Sequence, residues 1–128
     1  MSDIQRFDVG PRISEMAVHN GVAYLAGQVA SDASLDAQGQ TANVLAQVDA
    51  LLARAGTDKS RILMAQIFLA DLADFPAMNA AWDAWVAGGN TPPRATVEAR
   101  LAKPEWKVEI VVKAAVQAAS TRPDRASS

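Results

Sequence analysis

The chain has no cysteine, one histidine and few aromatic residues: its 128 positions hold three Trp, three Phe and one Tyr. Without cysteine there is no disulfide scaffold, zinc ribbon or thiol nucleophile. With His19 alone there is no histidine-cluster metal site, and a Ser–His–Asp triad would have to use that one residue. Charge of one sign is missing as well. Twelve Lys and Arg stand against fourteen Asp and Glu. They are mixed along the chain, which offers no basic stripe to nucleic acid or to an anionic membrane. No apolar run approaches the ~20 residues that span a bilayer. The opening MSDIQRFD lacks the apolar core of a signal peptide. These absences describe a soluble, cytoplasmic protein whose chemistry rests on Arg, Glu, hydroxyl and backbone groups, with no metal.

What is present is a small-residue core. Half the residues are hydrophobic and about one in five is Ala. The length suits one domain, read here as residues 1–117. The polar end AASTRPDRASS, residues 118–128, reads as a disordered tail. A core built from such small pieces gains by completing its burial against a partner.

The periodicity gives the elements. Ile4–Asp8 is a weak short strand. Arg12–Val18 and Val22–Gly27 are apolar runs joined by His19-Asn20-Gly21, and Asn-Gly between such runs is a strong hairpin signal. Ser31–Gly39 reads as a loop. Over Thr41–Ala55, Val44, Val48 and Leu51 recur at helical spacing, with Gly56 placed for a left-handed cap. Ile62–Ala70 is apolar throughout and reads as a central strand covered on both faces. Asp71–Gly88 is a second helix, with Phe75, Met78, Trp82 and Trp85 on one stripe. Arg94–Leu101 and Lys107–Gln117 alternate as strands. The sum is an α+β domain with a mixed six-stranded sheet and two helices on one face. The second face then carries Val111, Ala115 and one side of Ile62–Ala70, mixed with Arg94, Thr96 and Glu109. A half-apolar face with no helix over it predicts self-association.

Most chemical candidates have a plainer reading. His19 stands in a hairpin turn as a polar surface residue. The Phe75–Trp85 stripe is a helix's core face rather than a cofactor box. No Gly-rich pattern fits a phosphate loop, so no nucleotide is expected. Asp71, Asp74 and Asp83 read as caps and solvated helix positions. The spacing of Glu98 and Glu109 does not by itself make an acid–base pair. Arg94 is the most informative residue. It follows Thr91-Pro92-Pro93, a stiff approach, and opens a strand on the face that neither helix covers. A fixed guanidinium there suits bidentate capture of a carboxylate, against the simpler alternative of an ion pair with Glu98.

Five segments carry a resemblance over Gly10–Val116: VAYLAGQVASD, QTANVLAQVDALLARAG, KSRILMAQIFLADLADFPAMNAAWDAWV, PPRATVEARLA and KVEIVVKAAV. In this order they resemble the Rid family of reactive-intermediate deaminases (the RidA/YjgF superfamily), nearest to its YoaB-like branch. The resemblance implies a chorismate-mutase-like fold and a homotrimer with ligand sites in clefts between subunits. It implies hydrolysis of enamine and imine intermediates such as 2-aminoacrylate to a 2-oxo acid and ammonia, without a cofactor. The family's key Arg falls on Arg94, its strand Glu on Glu109 and its helix Asn on Asn79; the backbone around Gly27 borders the same pocket in relatives. Three positions depart from RidA itself. Arg12 follows Gly10-Pro11 where RidA soon has a Tyr, and would add a second positive group. Ala26 replaces a Ser, and Thr96 replaces a Cys. These changes bear on substrate range and rate, and leave a non-catalytic binder of small carboxylates as the alternative. A ribonuclease activity, attributed to some relatives, sits poorly with the charge balance.

Overall fold

The computed structural model describes residues 3–116; the tail over residues 118–128 lies outside them. The chain runs β1 (Gln5–Phe7), β2 (Met16–His19), β3 (Val22–Leu25), β4 (Gln28–Val29), α1 (Ala37–Arg54), β5 (Ile62–Leu69), α2 (Phe75–Trp85), β6 (Arg94–Glu98) and β7 (Val108–Ala115). The sheet is ordered β1-β2-β3-β7-β5-β6, with β4 also paired to β7; only β5 and β6 run parallel.

This is the expected mixed α+β sheet with one strand more. The seventh, β4, is two residues long, too short to leave a periodic signal. The hairpin forms where Asn-Gly placed it, with His19 opposite Val22 and φ of 51° at Asn20 and 79° at Gly21. Several boundaries shift: α2 spans Phe75–Trp85 rather than Asp71–Gly88, and β6 ends at Glu98 rather than Leu101. The loop after β1 runs on to Glu15, so Arg12 is in no strand. Helix α1 starts four residues before Thr41, because the Asp36 carboxylate caps it by accepting from the Gly39 amide at 2.8 Å. The polar composition of residues 31–39 hid that first turn.

Both helices pack on one face. Val44, Leu45, Val48 and Leu52 of α1, with Met78 and Trp82 of α2, are buried against Ala65, Ile67 and Leu69 of β5 and Val108, Ile110 and Val112 of β7. The opposite face carries Tyr24, Met64, Phe68, Val97 and Val111, none of them buried. So β5 is covered on one face, not on both as its run of apolar residues suggested. Its second apolar face is left for something other than its own helices.

Register also corrects β6. Arg94 pairs with Ala65, Thr96 with Ile67 and Glu98 with Leu69. Paired residues share a face, so Arg94 and Thr96 point toward the helices. Ala95 and Val97 point to the open face. The alternation of β6 holds, with its two sides the reverse of the expected assignment. At this edge α2 presents aromatic rings that accept a guanidinium, while the apolar residues enlarge the open patch.

Candidate functional site

Arg94 is half-buried at the start of β6, and the carbonyl of its neighbour Pro93 fixes the approach by accepting a hydrogen bond from the Ala65 amide at 3.0 Å. Its guanidinium carbon lies 5.1 Å from the Trp82 ring centroid and 5.9 Å from that of Phe75. One of its nitrogens stands 4.0 Å from the Met78 sulfur. The expected alternative partner, Glu98, is engaged elsewhere: its Oε1 accepts from the Leu72 amide at 3.0 Å. Among the described residues Arg94 forms no ion pair with any carboxylate; the one ion pair there is Arg54–Asp8. Stacking on aromatic faces leaves the N–H edge of a guanidinium free, and that edge matches a carboxylate in two hydrogen bonds.

Thr96 lies two residues on, on the same face. Its Oγ1 is buried with no hydrogen-bond partner, a state that buried hydroxyls rarely keep. Asn79 follows Met78 on α2 and is half-buried, with no side-chain hydrogen bond among the described residues. The structure thus brings Arg94 and Thr96 to the strand edge that Phe75, Met78 and Trp82 line. Those three residues were legible as a stripe, but only as core. Their signal as a cradle is the cation aligned beneath them, which needs the β5–β6 register.

Glu109 and Gly27 form a second group. Glu109 pairs with Phe68 and Val29 and so stands on the open face. A Cβ built on Gly27 would overlap the Glu109 carboxylate, lying 2.9 Å from its Cδ. The exposed Gly27 is therefore a close-approach position. The turn is braced by Gln28, which is buried. Its amide donates to the Ala26 carbonyl at 3.0 Å and to Glu15 Oε1 at 3.1 Å. Glu15 and Gln28 were not singled out from the sequence; the Gln of the AGQ segment was their signal.

The two groups do not meet within one chain. Glu109 is two strands across and three residues along from the level of Arg94, on the opposite face. Strand spacing and rise put their Cα atoms about 14 Å apart. Arg12 joins neither group: it is exposed in the loop before β2, with no side-chain hydrogen bond or ion pair among the described residues.

The model of the family described as endoribonuclease L-PSP matches residues 4–116. A RutC family protein of Haemophilus ducreyi is 59% identical over 113 residues, covering 88% of this chain and 97% of that protein. The RutC family protein YoaB of Escherichia coli K12 is 52% identical over 113 residues, covering 88% and 98%. Among solved structures, a member of the YjgF protein family from Neisseria meningitidis superposes with a TM-score of 0.88 at 50% identity, covering 91% of this chain and 98% of that one.

Proposed function

The chain belongs to the endoribonuclease L-PSP family, also known as RidA/YjgF, and from that premise we propose that it is a hydrolytic deaminase of reactive imino acids. The carrying observation is Arg94, a guanidinium clad by Trp82 and Phe75 and unpaired with any described carboxylate. It binds the substrate carboxylate in two charge-assisted hydrogen bonds, each contributing about 1.5–3 kcal/mol. Thr96 Oγ1 supplies a hydroxyl on the same wall.

In this reading Glu109 of a neighbouring copy orients the attacking water, which its distance from Arg94 within one chain supports. The open sheet face supports a homotrimer in which each cleft joins one protomer's Arg94 edge to the next protomer's Gly27–Glu109 corner. An enamine such as 2-aminoacrylate first takes a proton on its methylene carbon and gives one up from nitrogen to become the imine. Water oxygen then bonds to the imine carbon while the C=N π pair moves to nitrogen. Glu109 takes the water proton and returns it to nitrogen. In the resulting carbinolamine the hydroxyl proton passes to nitrogen, and ammonia leaves as the C–N bond breaks and the C=O forms. General acid–base help of this kind contributes ~10²–10⁴-fold. Little more is needed, because free imines already hydrolyse in water.

The test couples the protein to a flavoenzyme amino-acid oxidase, with semicarbazide competing for the imine. Faster loss of imine across small side chains is expected, and no acceleration by folded protein rejects the deaminase. One observation favours a second reading. A single chain holds the whole Arg94 cradle but not Glu109 with it, and a binder of 2-oxo acids needs only the cradle. Calorimetry showing Arg94-dependent binding without turnover selects that reading.

A further inference from the structure

A cleft of about 420 Å³ lies away from the Arg94 cradle, at the far end of β6. Its walls include Ala70, Glu98, Arg100, Lys103, Pro104 and Trp106. The volume is in the range of small-molecule sites. Its position has a topological cause. β5 and β6 are the parallel pair, and both end here, at Leu69 and Glu98. Beyond the carboxyl ends of adjacent parallel strands the connections diverge and leave a crevice, the usual place for ligands in open sheets.

Two cations, Arg100 and Lys103, line the cleft together with one carboxylate, Glu98, so its charge is net positive. Glu98 is tied to the Leu72 amide. Arg100 and Lys103 form no ion pair among the described residues. Lys103 Nζ sits 5.1 Å from the Trp106 ring centroid, and Trp106 is half-buried beside Pro104. Two cations thus border an indole and an aliphatic floor.

The wall is also held in place. Gln40 of α1 is fully buried. Its Nε2 donates to the carbonyls of Ala33, Leu35 and Glu105 at 3.1, 3.1 and 3.0 Å, and its Oε1 accepts from the Lys107 amide at 2.9 Å. One buried amide from the core therefore pins the backbone on both sides of Trp106. Such a preformed wall lowers the ordering cost of binding.

We infer that this cleft is a binding site for small carboxylates with a flat apolar body, the body lying against Trp106 and Pro104 and the carboxylate between Arg100 and Lys103. It is separate from the Arg94 site and does not depend on the deaminase reading. The test is a titration with benzoate, followed on the indole N–H resonance of Trp106 in the full chain and assigned with Trp106→Phe. A saturable shift of that resonance is expected, with those of Trp82 and Trp85 unmoved. Arg100→Ala with Lys103→Ala, both exposed positions, should weaken binding at least about tenfold. Arg94→Ala should leave it unchanged. Benzyl alcohol, of the same shape without the charge, should bind no more than weakly. Absence of a shift with benzoate overturns the proposal, as does equal binding of benzyl alcohol or indifference to the double variant.

Discussion

Glu109 lies so close against Gly27 that no side chain fits between them, its Cδ standing 2.9 Å from where a Cβ would be. The glycine is there because the carboxylate is, since Gly27 lacks the positive φ that would otherwise demand it. Gly27→Ala should therefore displace the Glu109 carboxylate rather than strain the backbone. The expected outcome is a fall in kcat of about 10²-fold or more with KM nearly unchanged, the signature of lost proton handling. Steady-state assay of Gly27→Ala beside Glu109→Gln checks it: the two should fall together, and a much more active Gly27→Ala would separate the glycine from the acid.

Arg94 gives the complementary prediction. Arg94→Ala should abolish turnover and 2-oxo acid binding while the assembly stays intact, because no described carboxylate depends on it. Arg94→Lys should recover little, since an ammonium does not fork to a carboxylate and lacks the planar guanidinium that lies near Trp82. Calorimetry with 2-oxobutanoate and size analysis of both variants distinguish this from an interface role, in which Arg94→Ala would dissociate the assembly.

Trp82 sits 5.1 Å from the Arg94 guanidinium and acts through it as a positioning residue. Trp82→Leu keeps an apolar side chain on α2 and removes the ring face. A cation–π contact of this kind contributes about 0.5–2 kcal/mol, so KM should rise by roughly three- to thirty-fold with kcat less affected. Because Trp82 is also buried core, the thermal midpoint will fall too. The KM effect at a temperature well below that midpoint is the reading that a merely structural role would not produce.

Arg94, Thr96, Gly27 and Glu109 could be named from the chain; Glu15, Gln28 and the arrangement of the two groups could not. Asn20-Gly21, the α1 stripe and the alternation of β6 and β7 were legible because turn chemistry and side-chain period are local. What the alternation of β6 cannot say is which side faces the helices. Arg94-Ala95-Thr96-Val97 reads naturally with Val97 inward, and pairing to Ala65 and Ile67 turns it outward. That reversal is settled by a long-range register. The separation of Glu109 from Arg94 follows from the same register. β4 escaped notice because two residues have no period.

An exposed ion pair supplies a pH test. Arg54 donates two hydrogen bonds to Asp8, at 2.7 and 3.0 Å. The hydrogen bond from Arg54 holds the Asp8 carboxyl below the usual 3.8. A lowered folded-state value contributes stability above pH 3.8 that is lost as pH falls through the depressed value. Asp8→Asn should thus lower the thermal midpoint slightly at pH 7. The difference from the parent should vanish near pH 2 in low salt. A difference that persists there would assign the loss to the turn at Asp8, where φ is 54°, rather than to charge.

The open face makes the strongest demand on the assembly. Val97 is 44% exposed at the edge and Val111 is half-buried between Phe68's strand and β3. Neither contacts the helices, so a charge at either position costs a lone protomer little. In a trimer built on this face the same charge is buried without a partner, which costs several kcal/mol per site. Val111→Glu should convert a three-chain particle to a single chain in light scattering, with the far-ultraviolet dichroism of the parent, and Val97→Glu should weaken it in the same direction. If each cleft takes Arg94 from one chain and Glu109 from another, as proposed, deaminase activity should disappear with the trimer. A monomeric Val111→Glu that retained full activity would show that one chain suffices, and Glu109 would then have no part in the chemistry at Arg94.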